Sequence, residues 1–200
     1  RDLKIERSEA KYVGLFGGIA GTVRDITLVG VEITGHSHVG GLVGDNDGQI
    51  HAATVDGNVT GTERVGTVAG ESPGDIEGST ASADVTGEKY VGGLVGYVSG
   101  DIEKSTATGT ITGTEYVGGL VGYNSSGGSA DRGGDIVDST ASAAVTGERY
   151  VGGLVGKNSS WGVIQTSTTA GDVTGDSGAG GLVGVNDGKI SDSFYDIDEV

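Results

Sequence analysis

Hydroxyl side chains recur in this chain at a spacing that would set them in rows. Thr54, Thr80, Thr106, Thr140 and Thr168 stand 26, 26, 34 and 28 residues apart, and Ser82, Thr108 and Ser142 follow two positions after three of them. Residues two apart on a strand face the same way. Thr80, Ser82, Thr106, Thr108, Thr140 and Ser142 would therefore share one face, able to order water or to meet a regular surface such as ice or a polysaccharide. Threonine is also simply a good exposed strand residue. Because Asp56, Asp84 and Asp172 put charge into the same rows, an ordinary solvated sheet is the plainer reading.

Other residues invite the same double reading. Tyr90, Tyr116 and Tyr150 keep the spacing of the hydroxyl rows, with Tyr97 and Tyr123 seven residues beyond two of them. An aromatic row can hold sugar rings, and more often packs on itself and shields backbone. Asp45 and Asp47 in "DNDG" (45–48) offer carboxylates for calcium, but the spacing and distal Glu of a helix-loop-helix calcium site are missing, so turn chemistry is the simpler use. His36, His38 and His51 are the only histidines, and two close imidazoles with no clear third ligand make a poor zinc site. No serine stands in a nucleophile-elbow context, no acid, base and nucleophile recur in phase, and no Gly-rich stretch ends in the Lys-Ser/Thr of a phosphate loop.

The elements that must position these residues follow from a glycine motif. The pattern x-G-G-[LIV]-[VA]-G begins at Phe16, Val39, Val65, Val91, Val117, Val151 and Ala179, with spacings of 23, 26, 26, 26, 34 and 28 residues. A period in this range marks a stacked array. The long spacing comes from an insertion at 125–134 and the next from extra residues near Trp161, both at one phase of the repeat, so both are surface loops and the best places for a specific contact. Two apolar columns keep register with the motif, Ile26, Ile50, Ile76, Ile102, Ile136, Ile164 and Ile190, and Ile33, Val59, Val85, Ile111, Val145 and Val173. Stretches such as "STASADVTG" (79–87) alternate with a period of two, and Thr, Val, Ile and Gly argue against helix throughout.

Each period thus reads as three short strands, near "YVGGLVG", "DIEKS" and "TATGTITG", and the chain as one all-β domain spanning 1–200. The expected architecture is a right-handed parallel β-helix, or β-solenoid, of six to seven coils of about 26 residues. A partial coil (1–15) would precede coils starting near 16, 39, 65, 91, 117, 151 and 179. Gly-Gly would turn a corner where coils stack about 4.8 Å apart, and Gly96 and its equivalents would supply positive φ at the next turn. Either Leu94 or Val95 would face the core. A lone coil buries too few aliphatic side chains to offset its ordering entropy, so stability must come from neighbours.

Composition agrees and excludes several functions. The chain has 200 residues with 42 Gly, one Pro, 34% hydrophobic and 5% aromatic residues, a thin supply for a globular core. Its net charge of −16 opposes nucleic acid and anionic lipid as partners, and suggests a high-salt or extracellular setting. No apolar run approaches the ~20 residues of a membrane helix. Zero Cys excludes disulfides, and the lack of Met points to a piece of a longer precursor.

With "GGLVG" at 40–44, 92–96, 118–122, 152–156 and 180–184, the chain resembles the GLUG-motif family. "YVGLFGGIAG" (12–21) resembles how such arrays open, and "SFYDIDEV" (193–200) how they close. The resemblance implies a repeat segment of a large secreted or cell-surface protein, a stalk or adhesive shaft meeting a neighbouring cell, a glycan or another protein, with no catalytic residues in the repeat. It departs at "VGTVAGESPG" (65–74), where Thr67 replaces the second Gly, which puts that corner's geometry in question. The rival expectations are a ligand face on the hydroxyl rows and, third, a polysaccharide-cleaving β-helix. Open coil ends would favour end-to-end self-association.

Overall fold

A computed structural model describes residues 3–125 and 134–196. Every strand pair is parallel, and partners lie one repeat apart, so that Ile76 pairs with Ile102 and Ile102 with Ile136. The result is a β-solenoid with one 14-stranded sheet and two 7-stranded sheets. Among the described residues no helix is long and apolar enough to cross a membrane.

One coil illustrates the rest. Its strands are Thr106–Thr112, Glu115–Gly118, Val121–Asn124 and Asp135–Val137. The first two belong to the large sheet, and the other two to one small sheet each. The three faces match the repeat pattern, but "YVGGLVG" is not one strand. It folds at Gly-Gly, and its first half extends the threonine strand, unbroken in one coil from Thr140 to Gly152.

The fold explains the glycine expense by space rather than by φ. A Cβ on Gly92 would lie 2.1 Å from the Val95 carbonyl oxygen and 2.7 Å from the Gly122 amide; one on Gly96 would lie 2.4 Å from the Val65 amide and 2.6 Å from the Tyr90 carbonyl oxygen. The two halves of the motif lie back to back, backbone on backbone, and no side chain fits between. The positive φ expected at Gly96 stands elsewhere. It falls on the residue before each motif valine, Tyr12, His38, Arg64, Tyr90, Tyr116 and Tyr150, at 53–58°, and on Gly178 at 64° in the last coil. Left-handed backbone costs a non-glycine residue roughly 1–2 kcal/mol, which these side chains offset by their contacts with one another.

The corner also places both Leu94 and Val95 inside, each 0% exposed, as are their equivalents Leu120, Val121, Leu154 and Val155. Ile50, Ile76, Ile102, Ile136 and Ile164 form one fully buried row. The first coil is offset from its sequence alignment. Val13 pairs with Val39, Phe16 with Val43, and Val23 rather than Ile26 with Ile50. Its glycine pair therefore sits within a strand and its corner is "VGL", so the coil begins three residues before Phe16; Val13 and Val39 keep the 26-residue step, and after the shorter corner Phe16–Val43 and Val23–Ile50 stand 27 apart. Thr67 keeps the corner, with flanking strands in register, but its hydroxyl is buried without a partner.

Candidate functional site

The large sheet carries the hydroxyl rows outward. Thr27, Thr54, Thr80, Thr106, Thr140 and Thr168 pair in succession, as do Thr34, Thr60, Thr86, Thr112, Thr146 and Thr174. Between these two unbroken columns lie Asp56, Ser82, Thr108 and Ser142. The sequence placed Thr80, Ser82, Thr106, Thr108, Thr140 and Ser142 on one face, and they are on one face. Several hydroxyls already bond each other: Thr108 Oγ1 donates to Ser82 Oγ at 3.1 Å, and Thr140 Oγ1 lies 3.2 Å from Thr168 Oγ1. The interrupting acids also serve the sheet, since Asp56 and Asp84 accept from the amides of Gly30 and Thr110.

Tyr90, Tyr116 and Tyr150 form one stack, with centroids 5.3 and 5.0 Å apart, and Tyr97 and Tyr123 a second at 5.2 Å. Across the stacks the rings meet edge-on, at 80–87°. The coil rise explains the herringbone. Rings repeating every ~4.8 Å cannot touch if they lie flat across the axis, but two rows leaning ~40–45° in opposite senses meet near a right angle and bring their planes to ~3.5 Å. The ring faces are thus spent on one another, and the Tyr97 hydroxyl donates to Ser125 Oγ at 2.7 Å. Cations close the ribbon: Arg64 lies 4.9 Å over Tyr97, Lys89 4.8 Å over Tyr90 and Lys157 5.9 Å over Tyr123. Burial pushes the Tyr116 and Tyr123 hydroxyls above the usual phenol range. Trp161 stands apart, 53% exposed at the turn after Asn158. Of the insertion at 125–134, the span 126–133 lies outside the described residues.

Toward the N-terminal end, charged groups replace tyrosine in the same two columns. His38 and Arg64 stand where Tyr90 does, and Asp45 and Glu71 where Tyr97 does. His38 Nε2 lies 2.8 Å from Glu71 Oε2, Ser37 Oγ lies 3.0 Å from His38 Nδ1, and Arg64 donates to Glu71. Burial raises the Glu71 carboxyl, but the His38 hydrogen bond and the Arg64 charge outweigh it and hold the group below its usual range. Burial, then Asp47 and Glu71, push Asp45 up. A Ser-His-Glu chain of this kind could activate a hydroxyl, but Ser37 is 4% exposed and Arg64 Nη1 competes for the same imidazole nitrogen at 2.7 Å. It is a structural network. Sequence reading missed it, although the 26-residue steps from His38 to Arg64 and from Asp45 to Glu71 carry the signal.

The remaining candidates separate. Asp45 stands beside that network with Oδ1 buried and, among the described residues, without a hydrogen-bond partner, while Asp47 lies in the turn where Asn46 Oδ1 accepts from the Gly48 amide. Among the described residues no three Asp, Glu, His or Cys side chains form a group that could hold a metal ion. His36 is exposed, and His51 lies 3.4 Å from Glu77.

Two buried polar rows hold the coils together. The hydroxyls of Ser79, Ser105, Ser139, Ser167 and Ser193 each accept an amide from the preceding coil, at 3.0–3.2 Å. Each also donates to the carbonyl two residues earlier. Asn46 Nδ2 donates to Ser72, Asn124 to Asn158 and Asn158 to Asn186, at 2.8–2.9 Å. Val98 interrupts this row, leaving Asn124 Oδ1 buried without a partner.

Compared with known families, residues 87–112 and 113–146 match the GLUG motif. No curated protein and no solved structure matches the chain.

Proposed function

Because this chain is a β-solenoid that matches the GLUG motif at residues 87–112 and 113–146, we propose that it serves as a non-enzymatic stalk within a larger secreted or cell-surface protein, holding binding parts away from a surface. The observation that carries the reading is the continuity of the scaffold, in which core, serine row and sheets run from coil to coil. Seven coils at ~4.8 Å make a stiff piece ~34 Å long, and its load-bearing bonds are many parallel backbone hydrogen bonds acting together. Pulling on the two termini in an optical trap tests it. A stalk extends in coil-sized steps at forces well above those that unfold helical bundles; release of the whole chain at a few piconewtons ends the proposal.

The two unbroken threonine columns favour one second reading, a face for ice or carbohydrate. Thermal hysteresis, or glycan-array binding lost on Thr106→Lys with Thr108→Lys, would move the function there, and silence in both assays leaves the stalk.

A further inference from the structure

The chain contains three Asn-x-Ser/Thr acceptor motifs, at Asn58 ("NVT"), Asn124 ("NSS") and Asn158 ("NSS"), and the fold treats them in opposite ways. Asn124 and Asn158 are 0% exposed. Both hydrogens of each side-chain amide are in use: Asn124 Nδ2 donates to the Gly134 carbonyl and to Asn158, and Asn158 Nδ2 to the Gly162 carbonyl and to Asn186. A sugar on either nitrogen would remove one of those bonds and need space the corner lacks, since even a Cβ on Gly162 would come within 2.1 Å of Asn158 Oδ1. Asn58 is exposed on the outer face of Thr54–Thr60, between Glu32 and Asp84, and its side chain makes no hydrogen bond among the described residues. Thr60, the motif's hydroxyl, is exposed on the same face, beside a shallow depression.

We infer that Asn58 is the glycan acceptor of this protein, the one motif of the three at which the folded solenoid tolerates an N-linked sugar. The inference rests on the secreted reading above. The donor is a lipid-linked oligosaccharide diphosphate. Asn58 Nδ2 bonds to the anomeric carbon, the carbon–oxygen bond to phosphate breaks, the polyprenyl diphosphate leaves with the electron pair, and one amide proton passes to the transferase base. No redox change occurs. A chain modified at Asn124 or Asn158 cannot close its asparagine row and does not reach the folded population.

The test sends the chain through the yeast secretory pathway behind an added signal sequence, so its outcome does not depend on where the protein naturally resides. Glycopeptides are mapped on the protease-resistant protein from medium and lysate together, after trimming to a single N-acetylglucosamine. The expected result is one sugar per chain, on Asn58, lost in Asn58→Gln with the melting temperature unchanged. Ser126→Ala with Ser160→Ala, which removes the buried motifs but keeps their asparagines, should leave that single sugar in place and raise the folded yield. Folded protein bare at Asn58, or carrying sugar at Asn124 or Asn158, overturns the inference.

Discussion

The interrupted asparagine row gives a sharp test of how these coils are held. Val98 is 0% exposed and pairs with Ser72 below and Asn124 above. Replacing it with Asn removes a buried valine at a cost of about 1.5–3 kcal/mol. The new amide would donate to Asn124 Oδ1, which lacks a partner. Ending a buried orphan returns about 1–3 kcal/mol, and the added hydrogen bond about 1. Val98→Asn should therefore lie within ~1 kcal/mol of the parent. Val95→Asn is the matched control, since Val95 is equally buried in an apolar row, and there the same exchange strands an amide and costs about 4–6 kcal/mol. At ~2–4 °C per kcal/mol for a domain of this size, calorimetry should separate the two variants by at least ~6 °C. Equal losses would mean that the asparagine row does not help to hold the coils together.

Three further outcomes follow from the same geometry. Gly92→Ala drives a Cβ into backbone at 2.1 Å and should cost more than ~3 kcal/mol by urea denaturation. Gly78→Ala, at a φ of 61° with open space around it, should cost only about 1–2 kcal/mol. Tyr116 and Tyr123 have hydroxyls raised by burial, so their contribution is fully present below the ordinary phenol value near 10. It should fade as pH climbs past that value, visible as a late phenolate absorbance step that coincides with loss of near-ultraviolet circular dichroism. Glu71 is held below its usual range, so its contribution is present above that range and lost as pH falls through the depressed value. Glu71→Gln should flatten the acid limb of the stability curve, and an acid limb unchanged by that substitution would refute the assignment.

Much of the fold was legible because a stacked array repeats its contacts at a fixed step. Ile76, Ile102 and Ile136 could be laid over one another from spacing alone, and so could the tyrosines and outer threonines. What spacing could not reveal was where the backbone meets itself within a coil. The close approach of Gly92 and Gly96 to main chain runs diagonally across the motif, to Val95 and Tyr90 in the same coil and to Gly122 and Val65 in the neighbouring ones, so spacing alone points Gly96 to a turn and reads one strand where two lie back to back. The first coil misled for a related reason: "FGGIAG" matches the motif better than "VGLFGG", but register is set by the row that Val13 fills, not by the glycines. The His38, Arg64 and Glu71 network went unseen because each member was judged by residue type, not by its column.

The insertion at 125–134 leaves and rejoins the coil through a clasp. Asn124 Nδ2 donates to the Gly134 carbonyl, and the Gly134 amide donates to Ser125. With its two ends held together at the corner, the insertion leaves and re-enters the coil at one fixed place. The clasp is therefore a ready grafting port, where a foreign peptide of almost any length could be displayed while the coils beneath keep their order.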